Sequence, residues 1–523
     1  MVAAERREKG VDVIGVWRVS EVRSAEQALM ATLPPGTLMH RAAAGLARRC
    51  ALLLADRGGV YGAEVLLLVG SGDNGGDALY AGALLARRGA RVTAWLLAPE
   101  RTHTGGLAAL RAAGGLTTDG GAGRAGRGRH ADLVVDGIVG IGGTGGLRQP
   151  AADAVARATG ATSPRGGRPV VVAVDVPSGV SVDTGGLPAG NGAAVSGAPD
   201  GAPDTVRADV TVTFGCLKPA LAVGAAAANA GHVELVDIGL TPWLRTAPAF
   251  EVPSRADVAA WWPRLLPAAE KYTRGVVGVA TGSAAYPGAA VLSVGGAVAG
   301  PTGLIRYAGA AADQVLDKHP SVIATGRVAD AGRVQAWVCG SGLGGGETAA
   351  AELRAVLAAP VPVVLDADAL TMLVDGTWSE QLRGRRAPTV ITPHDREFAR
   401  LAGAPGDDRV GAALRLAAWM RATVLLKGDR TVVATPDGRA YVNPTGSPAL
   451  ATGGTGDVLA GLLGSLLAAG LAPERAALAA AYTHGLAGRA AARGGPVTAV
   501  EVADALRPTV ADLTSAEPAR SGD

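Results

Sequence analysis

The sequence predicts an α/β protein of two domains. Three observations predict it: the length, the alternation of short apolar runs with stretches of helical period, and the glycine-rich turns that stand where those runs end. At 523 residues the chain exceeds what one hydrophobic core ordinarily organises. Hydrophobic residues make up 48 % and charged residues 18 %, the balance of a folded chain rather than a disordered one. Aromatics are only 3 % while Gly numbers 77, so helices and strands must pack closely through small side chains and many turns must be lined by backbone.

Between about residues 60 and 240 the apolar runs are VLLLVG at 65, RVTAWLLA at 91, DLVVDGIVG at 132, PVVVAVDVPSG at 169 and ADVTVTFG at 208, with helix-period segments such as ALYAGALLARRG at 78 between them. Short buried runs closed by Gly and separated by helices are the pattern of a parallel sheet covered on both faces. Two Gly/Pro/Asp-rich stretches, 117 to 130 and 187 to 205, break the rhythm and are read as surface insertions. The Pro-containing segment from 237 to 264, with Trp261 and Trp262 side by side, marks a joint. It divides the chain into domains 1–245 and 246–523. The second half resumes the alternation with RGVVGVATGS at 274, VQAWVCGSGLG at 334, PVVLDADAL at 362, PTVITPH at 388, ATVLLKG at 422 and TVVATPDG at 431. A Gly-rich turn at 452 then runs into the apolar helix DVLAGLLGSLLAAG.

Charge and cysteine content narrow the function classes. A formal charge of +3 spread over dispersed Arg residues argues against a nucleic-acid groove or a polybasic membrane patch and leaves anionic small molecules as partners. Cys50, Cys216 and Cys339 are far apart and form no CxxC pattern, so buried free thiols are expected rather than disulfides or a zinc site. The segment MVAAERREKG lacks an apolar signal core, and no uninterrupted apolar span of membrane length stands out. The expectation is a cytoplasmic enzyme with no membrane or nucleic-acid partner, assembling as a homo-oligomer.

In the first half, Gly70–Asp77 follows a strand and opens a helix. Its glycines admit a close ligand, and Asn74 and Asp77 add an amide and a carboxylate. Taken alone it is weak evidence and also reads as a turn capped by Asn and Asp. Two further strand ends carry an acid followed by a glycine turn, Asp136-Gly137 and Asp175-Val176-Pro177-Ser178-Gly179. Asn74, Asp136 and Ser178 are hard oxygen donors suited to a cation, which frees Asp175 for acid/base work.

With TVTFGCLKPAL at 211 and HVELVDIGL at 232, these motifs resemble the NAD(P)H-hydrate epimerase family over roughly residues 15 to 240. The resemblance implies a Rossmann-like three-layer sandwich that interconverts the R and S epimers of the hydrates NADHX and NADPHX. It implies potassium on Asn74, Asp136 and Ser178. It further implies substrate contacts at Asp73, Asn74, Gly75, Gly76 and Asp77, at Gly140, Ile141, Gly142, Gly143, Thr144, Gly145 and Gly146, and at Asp175. This chain has Asp73 where the family has a first asparagine, which adds negative charge beside an anionic dinucleotide.

In the second half, Asn443-Pro444-Thr445-Gly446-Ser447-Pro448 is followed by Ala451-Thr452-Gly453-Gly454-Thr455-Gly456-Asp457 at a helix start. Consecutive backbone N–H groups there form an anion hole helped by the helix dipole, and Asp457 in the first turn is placed to take a hydroxyl proton. The string resembles the GxGD anion hole of the ribokinase-like superfamily. With Lys271-Tyr272, GVATGSAAYPGA, LDADAL, TPHDREFARL and LLKGDRT in that order, the region from roughly 265 to 510 resembles the ADP-dependent NAD(P)H-hydrate dehydratases.

That resemblance implies a ribokinase-like three-layer sandwich. It places the AMP part of ADP on Lys427, Gly428, Asp429, Arg430, Thr431 and Gly456, and the hydrated dinucleotide on Ala289, Gly342 or Gly344, His394 and Asp457. Magnesium is the expected ion, with Glu397 organising it through water or else capping a helix. Asp366 and Asp368 are second-tier candidates that serve equally as helix caps. Pro301 is expected to end the preceding helix early, and Arg396 replaces the glycine of the family's TPHxGE. Two other readings stay open: a kinase of a small alcohol, and a nucleotide-binding scaffold.

Overall fold

Val- and Leu-rich runs become strands because their side chains pack well on pleated surfaces. In the computed structural model, which describes residues 13–119, 130–188, 203–264 and 266–515, these strands form two sheets. The first described strand is β1 (Ile14–Val16). One compact unit spans Gly15–Ala249 and the other holds the chain from Phe250 onward. The predicted insertions fall largely outside the described residues, except that Leu116–Asp119 is a strand.

The first unit carries β2 (Glu64–Val69), β3 (Arg91–Leu96), β4 (Leu116–Asp119), β5 (Leu133–Gly137), β6 (Val170–Val174), β7 (Val210–Phe214) and β8 (His232–Val236) in the order β4-β3-β2-β5-β6-β7-β8. Every pairing in this sheet is parallel. Alternate residues of one strand serve opposite faces. Val65, Leu67 and Val69 join a core with helices Val19–Met30, Thr37–Ala55 and Asp73–Arg87, whereas Leu66 and Leu68 pack with Ala154, Val155 and Ala158 of helix Ala151–Thr159. The result is a three-layer sandwich. Strand order reverses between β2 and β5, the crevice where open α/β sheets bind ligands.

The second unit contains β9 (Phe250–Val252), β10 (Val276–Ala280), β11 (Leu304–Ala308), β12 (Ile323–Thr325), β13 (Ala336–Cys339), β14 (Val363–Leu365), β15 (Thr389–Ile391), β16 (Thr423–Leu426), β17 (Val432–Ala434) and β18 (Ala440–Val442). They lie in the order β9-β18-β17-β16-β15-β14-β13-β10-β11-β12. The run from β12 to β16 is parallel, whereas β16–β17 and β17–β18 are antiparallel, a mixed character that the alternating pattern did not announce. Helix Pro287–Ala299 stops just before Gly300 and Pro301, which has no N–H to continue it, and the chain turns into β11.

Helix Thr455–Ala468 is apolar almost all round and is buried along nearly its whole length. It lies against helix Pro287–Ala299 at backbone distance: a methyl group at Gly461 would sit 1.8 Å from Ser293 O, and one at Gly296 2.0 Å from Val458 O. That contact seats the helix, with its N-terminus at the ends of the parallel strands. Helices Glu347–Ala358 and Arg409–Met420 pack on β13 and β16 through Leu353, Val356, Ala413 and Leu416. The three cysteines are free and buried, and no described helix is long and apolar enough to cross a membrane.

Candidate functional site

Each unit gathers its chemistry at the carboxyl ends of adjacent parallel strands. In the first unit, Asp136 is the penultimate residue of β5 and has no exposed surface. Its Oδ1 accepts the Ser178 hydroxyl at 2.7 Å and its Oδ2 the Ser178 N–H at 2.9 Å, which ties the β5 end to the loop after β6. Ser178 Oγ in turn accepts Val139 N–H at 3.1 Å. Burial pushes the Asp136 carboxyl up to about 6 against these hydrogen bonds, and no cationic side chain contributes.

Gly70–Gly72 close β2, and helix Asp73–Arg87 starts within the motif. Asp73 is exposed in its first turn, where the helix dipole favours an acid. Asn74, Gly75, Gly76 and Asp77 are buried. Asn74 Nδ2 and Asp77 Oδ1 are both buried without a hydrogen-bond partner, an uncommon state for interior polar atoms. Burial, reinforced by Asp175, Asp73 and Glu26, holds the Asp77 carboxyl well above the usual range. Gly140 abuts Asn74, a methyl there falling 2.9 Å from Asn74 Oδ1, and Gly142 lies beside the Arg23 guanidinium. Ile141 packs near Val176, Thr144 and Gly145 are exposed, and Gly146 lies instead against Pro188 and Asp204. The Gly140–Gly146 loop therefore meets the Asn74 cluster at its start and leaves it at its end.

Asp175 follows β6 with φ +65°, a left-handed conformation that an L-residue holds only under constraint. The constraint is Lys218, 1 % exposed, whose Nζ donates to Asp175 Oδ1 at 2.5 Å, Thr213 Oγ1 at 2.9 Å and Phe214 O at 2.8 Å. Glu26, half-buried on helix Val19–Met30, joins the cluster: burial raises its carboxyl to about 7, opposed by Lys218 and Arg23 and reinforced by Asp175 and Asp73. Sequence reading missed Glu26 and Lys218. Lys218 stood inside the quoted TVTFGCLKPAL, and its signal was a lone lysine in an otherwise apolar, Gly-turned segment.

In the second unit a cavity of about 950 Å³ opens beyond β14, β15 and β16. It is bordered by Asp366, His394, Lys427, the Gly453–Asp457 turn and His484. Thr455 Oγ1 ties the turn together by donating to Leu450 O at 2.8 Å and Thr452 O at 3.0 Å. Gly454 takes φ +88° as the N-cap, where a methyl would strike Leu292 at 2.5 Å. Asp457 is the third residue of the helix. Burial and the neighbouring Asp366 raise its carboxyl to about 6, with Ser341 and Lys427 acting the other way.

Lys427 Nζ lies 2.6 Å from Asp366 Oδ1 and 3.6 Å from Glu397 Oε2. Burial works against the Lys427 charge, but these carboxylates and Asp457 outweigh it and hold its ammonium above the usual value. Gly428, Asp429, Thr431 and Gly456 also border the cavity, and Arg430 is anchored to Pro444 O. Next to the same space, His484 is 6 % exposed with Nε2 unpartnered, and burial pushes its imidazole down to about 4.

Several expected site residues carry structural duties. His394 is an exposed N-cap: its Nδ1 accepts the N–H groups of Arg396 and Glu397, and its own N–H donates to Glu397 Oε2 at 2.8 Å. Glu397 is thus the buried half of a capping box. Neither Asp366 nor Asp368 caps helix Asp368–Met372, whose N-cap is Ala367, because Asp366 is held by Lys427 and Asp368 accepts Gly344 N–H at 2.8 Å. Ala289 and Gly342 touch one another, and neither they nor Gly344 border the cavity as it stands.

The sequence matches the family described as NAD(P)H-hydrate dehydratase over residues 277–507 and that described as YjeF-related protein N-terminus over residues 35–220. It is 50 % identical to the bifunctional NAD(P)H-hydrate repair enzyme Nnr of Mycobacterium tuberculosis, across 88 % of this chain and 90 % of that one. It is likewise 50 % identical to the enzyme of the same name from Mycobacterium leprae, across 90 % and 92 %. Among solved structures, the ADP/ATP-dependent NAD(P)H-hydrate dehydratase of Bacillus subtilis, co-crystallised with ATP and magnesium, is 28 % identical with a TM-score of 0.45, covering 50 % of this chain and 97 % of its own.

Proposed function

Because the chain belongs to the bifunctional NAD(P)H-hydrate repair enzymes, we propose that its two sites work in series, the first exchanging R and S hydrates and the second dehydrating the S form with ADP. The observation that carries the second step is the placement of Asp457 in the first turn of a helix whose Gly-rich N-terminus borders the same cavity as Lys427.

In the second site the β-phosphoryl group of ADP rests on the N–H groups of the Gly453–Asp457 turn, and the AMP part extends along Lys427, Gly428, Asp429, Arg430, Thr431 and Gly456. With its carboxyl near 6, Asp457 is mostly ionised at neutral pH and takes the proton of the substrate's C6 hydroxyl as that oxygen attacks phosphorus. The bond from phosphorus to the bridging oxygen breaks and AMP leaves. The ring-nitrogen lone pair then expels phosphate from C6, and loss of a C5 proton restores the dihydropyridine. Ala289, Gly342 or Gly344, and His394 are the proposed contacts of the hydrated dinucleotide. Asp366 and Glu397 share the single ammonium of Lys427, and no cluster of three or more His, Cys, Asp or Glu suited to a metal occurs among the described residues. Magnesium therefore fits as an ion carried on the phosphates, with Glu397 reached through water.

In the first site, Asp175 is the acid/base group for exchange at C6, and the helix start at Asp73–Asp77 and the loop at Gly140–Gly146 hold the dinucleotide. Asn74, Asp136 and Ser178 fit potassium: the donors are hard oxygens, and Asp136 is a fully buried acid with no cationic side chain acting on it. Bound there, the ion would supply the missing positive charge and fix the loops.

The test supplies enzyme and ADP with mixed hydrates and follows NADH absorbance and free phosphate. Return of NADH with stoichiometric phosphate is expected, and a stable phosphorylated product in place of NADH contradicts the reading.

A further inference from the structure

Lys218 is a buried cation that the proposed epimerase chemistry leaves without a role. It cannot be a phosphate-binding lysine, because its ammonium is 1 % exposed and its three N–H donors are matched by three oxygens, those of Asp175, Thr213 and Phe214. Whatever it does for the reaction it does through a neighbour. Thr213 and Phe214 belong to the end of β7, so Asp175 is the partner that lies in the site.

The Asp175 side chain shows what the contact accomplishes. Three donors converge on Oδ1: Lys218 Nζ, the Thr213 hydroxyl at 3.0 Å and the Phe214 N–H at 3.3 Å. Among the described residues Oδ2 accepts no hydrogen bond. The backbone is pinned as well, Asp175 N–H donating to Val212 O at 2.8 Å while φ is held at +65°. A carboxylate saturated on one oxygen and free on the other has a single orientation to offer. Asp73 and Glu26 act electrostatically in the same cluster, so Lys218 also offsets the repulsion that their negative charge would exert on an unpaired Asp175.

We infer that Lys218 is a positioning residue of the epimerase site, locking Asp175 by Oδ1 so that Oδ2 is presented to the C6 hydroxyl. The inference rests on Asp175 being the acid/base group.

The test is steady-state epimerisation of the R hydrate by the full-length protein, with dehydration of the S hydrate as an internal control. Lys218→Met is expected to lower epimerase kcat about 100-fold with KM within about twofold. Thr213→Val, which removes one of the three donors and keeps the ion pair, is expected to lower kcat about fivefold in the same pattern. A Lys218→Met protein that folds with kcat intact, or that loses affinity while kcat is kept, overturns the inference. Should Lys218→Met fail to fold, Thr213→Val decides, and an unchanged kcat there overturns it. Asp175→Asn separates the two claims. If it retains epimerase activity, the acid/base reading itself falls, whereas an inactive Asp175→Asn beside an active Lys218→Met removes Lys218 alone.

Discussion

The two sites sit at equivalent places in their sheets and are built from opposite materials. In the first unit the candidate groups are side chains: Asp136 and Ser178 bonded to one another, Asn74 and Asp77 with unpartnered buried atoms, and Lys218 clamped on Asp175. In the second the centre is backbone, the N–H groups of a turn ending at Gly454 and a helix start, with Lys427, Asp366 and Glu397 arranged beside it. The difference matches the chemistry proposed for each site. Proton exchange at a carbon-bound hydroxyl and a monovalent cation both call for carboxylates and other oxygens at chosen points, whereas a phosphoryl group in flight is met by a ring of N–H dipoles. A site of the first kind is sensitive to protonation, and one of the second kind to the shape of the chain.

That contrast breaks most visibly under single substitutions. Asp457→Asn is expected to lower ADP-dependent dehydration roughly 1000-fold while epimerisation proceeds at the wild-type rate, measured on separate R and S hydrates. Asp175→Asn is expected to do the converse with a smaller factor, about 100-fold on epimerisation, because the uncatalysed exchange sets a floor. Gly454→Ala tests the backbone character of the second site. It places a side chain at φ +88° and against Leu292, so it should weaken ADP binding about tenfold and lower the unfolding midpoint, with epimerisation unaffected.

The smallest expected effect concerns pH. Glu26 is raised from 4.5 to about 7 in the folded protein, so folding takes up a proton in that interval. Its contribution to stability is fully present below about pH 4.5 and is lost as pH rises through about 7, and Asp77 shifts in the same direction. His484 in the second unit is depressed from 6.5 to about 4, so its contribution is present above about 6.5 and is lost as pH falls through about 4. Unfolding at fixed potassium concentration should therefore show Glu26→Gln losing less stability than wild type between about pH 5 and about pH 8.

The same contrast explains what could be read in the sequence. The fold class, the Gly70–Asp77 strand-to-helix junction and the Gly453–Asp457 string are legible, since glycine-built junctions leave contiguous glycines and a parallel sheet leaves short apolar runs. Lys218, Glu26 and His484 are not. Each is a single residue brought into place by packing over long sequence separations: Lys218 is a lone lysine in an apolar segment, and Glu26 is one of several polar residues on an amphipathic helix, so neither carries a period of its own. Asp366 stays a second-tier candidate in the sequence because a strand-end acid serves equally as a helix cap, and its partner Lys427 lies 61 residues away. The sequence leaves Glu397 open between a water-mediated magnesium contact and a helix cap because a capping box and a ligand motif use the same residue types, and the structure places it and His394 in a capping box beside the cavity. The β16–β17–β18 antiparallel edge was equally hidden, its strands being as apolar as their parallel neighbours.

Division of labour between the units is tested most directly by giving pure R hydrate and ADP to the wild-type protein and to Asp175→Asn, with NADH absorbance followed in time. Wild type should return NADH after a short lag, and Asp175→Asn should return it only at the rate of spontaneous epimerisation while turning over pure S hydrate normally. Equal rates from R hydrate in the two proteins would contradict the assignment of epimer exchange to the first site.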